Sequence, residues 1–219
     1  MRALVTGGTG RVGAAIADGL RAGGFSVLAA GSADGDLSAV PEARALVERA
    51  AAELGGLDLL VHAAGDGFEP KQVEDVTEVD WDAAFGVTAR ASFFLAQAAA
   101  PHLRESRGLI VFIEDVAAYQ PWPSFAAHCA AKAAQAMLTR VLARALAPEV
   151  RVCGVVPGPV AVEPGQEERR AAETLLGRVG RPEDVADAVA YLVSASYATG
   201  TSLVVDGGRL LQSGSGPNP

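Results

Sequence analysis

The sequence predicts a doubly wound α/β fold, a parallel sheet with helices on both faces. Three observations carry this. Short Val- and Leu-rich runs alternate with stretches of helical periodicity from end to end, the pattern of repeated strand–helix–strand units. The runs are almost wholly apolar, as at 57–62, which suits strands covered on both faces. A Gly-rich turn joins the first run to the first helical stretch.

The elements follow in order. Residues 2–5 read as a strand, and Val12, Ala15, Ile16 and Leu20 mark one face of a helix that stops at Gly23-Gly24. Residues 26–30 form a second strand. Ala43, Leu46, Val47, Ala50 and Leu54 then share a stripe, with Pro41 placed for a first helical turn and Gly55-Gly56 as the stop. Strands are expected at 57–62, 109–113, 150–156 and 202–205, and helices at 81–103, 124–146 and 182–194. One connection is unusual. Only Gly31 to Gly35 separates the second strand from a candidate third at Asp36-Leu37. A crossover between parallel strands needs a dozen or more residues, so the helix due here is missing, and Gly31, Asp34 and Gly35 suit a tight turn. Neither an internal repeat nor a linker divides the chain. Residues 1–211 read as one domain, and 212–219 have disordered composition.

At 219 residues, half of them apolar and 5% aromatic, the chain supports one large core made mostly of Ala, Val and Leu. The formal net charge of −8 argues against nucleic-acid or anionic-membrane partners. Cys129 and Cys153 offer neither a disulfide framework nor metal-ligand spacing, and no metal is expected. No signal-peptide pattern and no apolar run of transmembrane length is present, so a cytoplasmic location is expected.

The turn reads Thr6-Gly7-Gly8-Thr9-Gly10-Arg11-Val12-Gly13, with G-x-G-x-x-G at Gly8, Gly10 and Gly13. Glycines let the backbone approach phosphates closely, and the free N–H groups of the helix start bind the anion. A dinucleotide site is the reading favoured over an ordinary Gly-rich turn, because strand, turn and helix occur in the right order.

Taken with other segments, this turn gives the chain a resemblance to the short-chain dehydrogenase/reductase family over residues 5–211. The matching pieces are Asp36-Leu37, Ala63-Ala64-Gly65, Lys132, Pro157-Gly158-Pro159-Val160, Arg181-Pro182-Glu183-Asp184-Val185, Thr199-Gly200 and Val205-Asp206-Gly207-Gly208. The resemblance implies a Rossmann-type sheet of about seven strands and a bound nicotinamide cofactor. It implies cofactor contacts from Gly7, Gly8, Thr9, Gly10, Arg11, Val12, Gly13, Leu37, Ala63, Ala64, Gly65, Lys132, Pro157, Gly158 and Val160. Asp36 would accept a hydrogen bond from the adenine amino group, or is a solvated turn residue. With Arg11 in the phosphate turn and no acid ending the second strand, NADP(H) is favoured over NAD(H).

The catalytic positions depart from the family pattern. A Tyr four residues before the Lys normally handles the substrate proton, and here the segment reads His128-Cys129-Ala130-Ala131-Lys132. The usual Ser corresponds to Asp115, an Asn of the proton relay to Thr88, and a carboxamide-holding Thr to Val162. Asp for Ser and Arg for a turn glycine resemble the pteridine reductase branch, in which Phe68 would be an aromatic face for a pterin. Imidazole is a competent general acid near neutrality, so His128 is either the proton relay or filler in a degenerate site. Asp115 is an active-site carboxylate or a strand-end cap. Lys132 is a cofactor contact or a solvated helix lysine. His62 is most simply satisfied by a neighbouring carbonyl, Tyr119 either packs or offers a phenol to the same pocket as Asp115, and Trp81 and Trp122 pack.

The function expected is an NAD(P)(H)-dependent oxidoreductase acting on a small carbonyl or pterin-like imine, with Asp115, His128 and Lys132 as catalytic residues. The alternative is a catalytically degenerate dinucleotide-binding protein. Surplus small apolar residues on helices 81–103 and 124–146, which commonly pair in this family, predict a homodimer or homotetramer.

Overall fold

The computed structural model describes residues 1–65 and 69–212. Its centre is a sheet of six parallel strands: β1 (Arg2–Thr6), β2 (Ser26–Ala30), β3 (Leu59–His62), β4 (Leu109–Ile113), β5 (Arg151–Pro157) and β6 (Ser202–Val205). The spatial order is β2-β1-β3-β4-β5-β6. Successive side chains alternate between the faces, as the two-residue period of a strand demands. Ala3, Val5, Leu59, Val61, Leu109 and Val111 pack under α1 (Arg11–Ala22) and the helix Pro182–Ser194. Leu4, Leu60, Ile110, Phe112 and Val152 face α2 (Val40–Leu54) and the two long helices that follow it.

The expected third strand is absent, which leaves six. Beyond β2 the chain makes a short 3-10 turn, Ser32–Asp34, and enters α2 directly. Asp36 and Leu37 lie in that connection. The Asp36 carboxylate accepts from the Ser38 N–H and hydroxyl at 2.9 and 2.8 Å. A whole helix–strand unit is therefore missing beside β2, because the nine residues between Ala30 and Val40 cannot make both. Since α2 leads from β2 across β1 to β3, the strand order reverses at β1 and β3. Their carboxyl ends form the crevice where doubly wound sheets bind ligands.

The helix read at 81–103 is two helices, α3 (Glu78–Phe85) and α4 (Ala91–Ser106), joined by a π-helical turn over Gly86–Arg90. Thr77 caps α3 by accepting from the Asp80 N–H at 3.2 Å. The remaining helices are α5 (Ala126–Leu146), α6 (Glu167–Ala171) and α7 (Pro182–Ser194). Proline at the first position of α7 supplies a preset helical φ. No helix among the described residues is long and apolar enough to cross a membrane. Phe68 and the tail at 213–219 lie outside the described residues.

Candidate active site

The Gly-rich turn is held by contacts only glycine permits. Gly7 has φ +69°, and a Cβ there would sit 2.6–2.7 Å from the backbone of Ala63 and Ala64. A Cβ on Gly13 would collide with the Gly7 carbonyl oxygen. The turn is thus pressed against the end of β3, with Gly8 donating to the Ala30 carbonyl at 2.8 Å. The other side is open. Thr9, Gly10, Arg11 and Gly65 are exposed, and α1 starts after Gly10 with no side-chain cap and no acid in its first turn. The N–H groups of the first turn of a helix have no intrahelical partner and favour an anion, so the cradle fits a pyrophosphate.

Arg11 points across the crevice. Its guanidinium donates to the Val162 carbonyl at 3.0 Å and to Glu163 Oε1 at 2.7 Å. That loop leaves β5 at Pro157 and runs through Gly158 and Val160, so the two sequence segments assigned to the cofactor border one cleft. Asp36 and Leu37 do not join them in a strand; Asp36 is exposed and engaged with its neighbour Ser38.

The three residues assigned to catalysis come together at the carboxyl end of β4. Asp115 Oδ1 accepts from the Ala117 N–H at 2.8 Å and starts a 3-10 turn. Its other oxygen, Oδ2, lies 3.4 Å from His128 Nε2. Asp115 is thus a strand-end cap and a histidine partner at once. Lys132, one turn beyond His128 on α5, is buried, and its Nζ donates to the Ile113 carbonyl at 2.8 Å and to Gln135 Oε1 at 3.1 Å. Burial pushes the Lys132 pKa down, while the charges of Asp115 and Glu114 hold it up. A cavity of about 250 Å³ opens beside His128 and Thr88, bordered by Lys71, Asp80, Ala84 and Ala127. A larger one, about 490 Å³, lies by Pro159, Leu175 and Asp184 and touches none of Asp115, His128 and Lys132.

His62 occupies a structural position. It is fully buried, its Nε2 is 3.0 Å from the Val87 carbonyl and its Nδ1 is 2.7 Å from Thr6 Oγ1. The carbonyl can only accept, so Nε2 carries the proton and the Thr6 hydroxyl donates to Nδ1. Burial is the main cause that lowers its pKa to about 4, with the Lys132 charge adding to it. Tyr119 OH donates to Glu114 Oε2 at 3.3 Å. Trp122 packs under the Arg209 guanidinium, 5.2 Å from ring centre to Cζ, and Trp81 stacks on Phe85.

Sequence reading missed Glu114, Ser92, Gln135 and Thr139. Glu114 is buried beside Gly154, and its Oε1 accepts from Thr139 at 2.6 Å and Ser202 at 3.0 Å. Desolvation raises its pKa against those hydrogen bonds. A signal for two of them existed. His128, Lys132, Gln135 and Thr139 recur at helical spacing on an Ala-rich helix, and all four are buried.

Comparison with known proteins agrees with this fold. Residues 13–209 match a family described as enoyl-(acyl carrier protein) reductase. The chain is 35% identical to 4-formylbenzenesulfonate dehydrogenase of Comamonas testosteroni, over 94% of this chain and 96% of that one. It is 31% identical to dehydrogenase/reductase SDR family member 4 of Caenorhabditis elegans, over 80% of this chain and 73% of the relative. Its fold superposes with a TM-score of 0.90 on a 3-ketoacyl-(acyl-carrier-protein) reductase from Brucella melitensis complexed with NADH, at 28% identity over 95% and 98% of the two chains. The chain belongs to the short-chain dehydrogenase/reductase family of oxidoreductases.

Proposed function

We propose that the protein is an NAD(P)(H)-dependent reductase of a small carbonyl or pterin-like imine, with Asp115 and His128 handling the substrate proton. The observation that carries this reading is the Asp115–His128 contact, 3.4 Å long, one helical turn from the buried Lys132. The nicotinamide supplies the hydride when bound. The Gly7–Gly13 turn and the α1 N–H groups would hold the pyrophosphate, Pro157, Gly158 and Val160 would border the nicotinamide end, and Lys132 would meet the ribose. Asp115 orients His128 through Nε2. His128 delivers that proton to the developing alkoxide or amide of a substrate in the 250 Å³ cavity. Contacts of this kind tighten when substrate arrives and water leaves.

Arg11 makes NADPH the preferred cofactor, and the exposed apolar residues of α4 and α5 support assembly into a homodimer or homotetramer. The partnered arrangement of Asp115 with the buried His128 and Lys132 favours an enzyme over a binding protein with a defunct site. The experiment is NADPH oxidation by purified protein across a panel of pterins, quinones, small aldehydes and ketones. Turnover with a carbonyl or pterin is expected. NADPH binding without turnover of any panel member would establish the degenerate binding protein instead.

A further inference from the structure

Gln135 stands in the core with no exposed surface, on the helix that carries His128 and Lys132. A buried primary amide is costly unless its donors and acceptor are used. Here they are used in one direction. Gln135 Oε1 accepts from Lys132 Nζ at 3.1 Å, and Gln135 Nε2 donates to Ser92 Oγ at 2.9 Å. The Ser92 hydroxyl in turn donates to the Thr88 carbonyl at 2.6 Å. The chain of bonds runs from the Lys132 ammonium through α5 and α4 into the π-helical turn. From the far side His62 fixes the same turn through the Val87 carbonyl. Since the Ser92 hydroxyl proton is committed to Thr88, Ser92 can only accept from Gln135. The amide is thereby fixed with its oxygen, not its nitrogen, toward Lys132.

We infer that Gln135 is a positioning residue of the active site: with Ser92 it presents a fixed oxygen that keeps Lys132 charged and aimed at the cofactor ribose. The inference rests on the assignment of Lys132 as a cofactor contact. An ammonium has three donors. Ile113 and Gln135 take two, which leaves the third for a ligand. The charged and titratable groups around this ammonium are His62 from β3, Glu114 and Asp115 beyond β4, and His128 from α5 itself. His62 is neutral above about pH 4, and the two carboxylates favour the cation. Gln135, on the same helix as Lys132, adds a neutral acceptor to this set.

The chain has two lysines, Lys71 and Lys132, so lysine labelled with ¹³C at Cε gives two NMR signals, assigned by their loss in Lys132→Ala. Titrating these signals in the intact protein, with and without NADPH, reads the Lys132 charge directly. In Gln135→Met its midpoint is expected to fall by at least one pH unit, and in Gln135→Glu to rise. Ser92→Ala, which frees the amide to rotate, should shift it down by a smaller amount and serves if Gln135→Met does not fold. NADPH affinity measured by fluorescence should be lost at correspondingly lower pH in Gln135→Met and recovered in Gln135→Glu. A Lys132 midpoint unchanged in all three variants overturns the inference. Wild-type NADPH affinity in Lys132→Ala overturns the cofactor assignment beneath it, whereas the lysine titration still reports whether Gln135 governs the ammonium.

Discussion

Arg11, at the start of α1, is joined to Glu163, beyond β5, by an ion pair of 2.7 Å that spans the mouth of the cofactor crevice. Both side chains are more than half exposed, and exposed pairs of this kind hold weakly. We predict that a cofactor phosphate, which carries more charge than a carboxylate, displaces Glu163 from the guanidinium. Arg11→Ala should weaken NADPH binding about tenfold or more and NADH binding less. Glu163→Gln should strengthen both, by about two- to fivefold. Calorimetric titration of both cofactors checks this. Equal losses for NADPH and NADH in Arg11→Ala would remove Arg11 from cofactor selection.

The sheet was legible because its signals are local. Alternation such as Ala3, Leu4, Val5 states which side chains share a face, and Pro182 and Gly55 mark helix ends through their own φ preferences. The missing third strand was harder to read. Asp36-Leu37 looks like a strand end, yet its fate depends on how few residues precede it. Glycines of the phosphate turn were likewise readable, since their spacing is the constraint. The wiring of the site was not. Gln135 is unremarkable to helix propensity, and its partner Ser92 lies 43 residues away. Arg11 gave no hint of meeting Glu163, because that pair is set by how two strand ends converge rather than by any local pattern.

His62 should make folding sensitive to acid. The unfolded chain takes up a proton at this histidine below about pH 6.5, but burial delays uptake in the folded protein to about pH 4. The unfolded state binds more protons within that window, so stability falls as pH drops through it and levels off below. The loss amounts to ~3 kcal/mol for a shift of this size. Denaturant melts of wild type and His62→Asn at pH 4, 5.5 and 7 test it. The variant should show a flatter profile, and an identical slope would mean that another group governs the acid limb.

Glu114 acts with the opposite sign. Its carboxyl has a pKa raised by burial above the ordinary 4.5, so the unfolded chain ionises first and stability declines as pH rises through the folded value. Glu114→Gln keeps an acceptor for Thr139 and Ser202 and gains a donor for Tyr119. It should raise Tm at pH 7.5 relative to wild type and remove much of the decline from pH 4.5. The same variant deprives Lys132 of a favourable charge, so NADPH affinity at alkaline pH should fall. A Tm at pH 7.5 below that of wild type would show that the ionised form is what the core requires.

The outer faces of α4 and α5 carry Phe93, Met137 and Val141, which are 37%, 54% and 50% exposed. We predict that these uncovered side chains on adjacent helices form an association surface. Light scattering should give the mass of a dimer or tetramer at micromolar concentration, and Val141→Asp should reduce it by placing a charge in the contact. A monomer in the wild type rules out assembly through these helices.

His128 is the group whose replacement separates the two functional readings. In the enzyme, His128→Ala removes the proton donor but no contact with the cofactor cradle. Turnover should then fall by about 10²–10⁴-fold, with NADPH affinity close to that of wild type. Lys132→Ala should reduce both, because its ammonium serves the ribose. His128→Tyr gives the complementary test by placing a phenol four residues before Lys132. A phenol oxygen lies farther from the helix backbone than Nε2 does, so in an enzyme built around the histidine it would crowd Asp115 and lower the rate. If wild type is inactive toward the whole panel and His128→Tyr gains turnover, the crevice is a cofactor-binding site whose chemistry has lapsed. If His128→Ala turns over as fast as wild type, the proton comes from elsewhere. Asp115 then becomes the donor to test, with Asp115→Asn as the variant that keeps the cap on Ala117 and removes the acid.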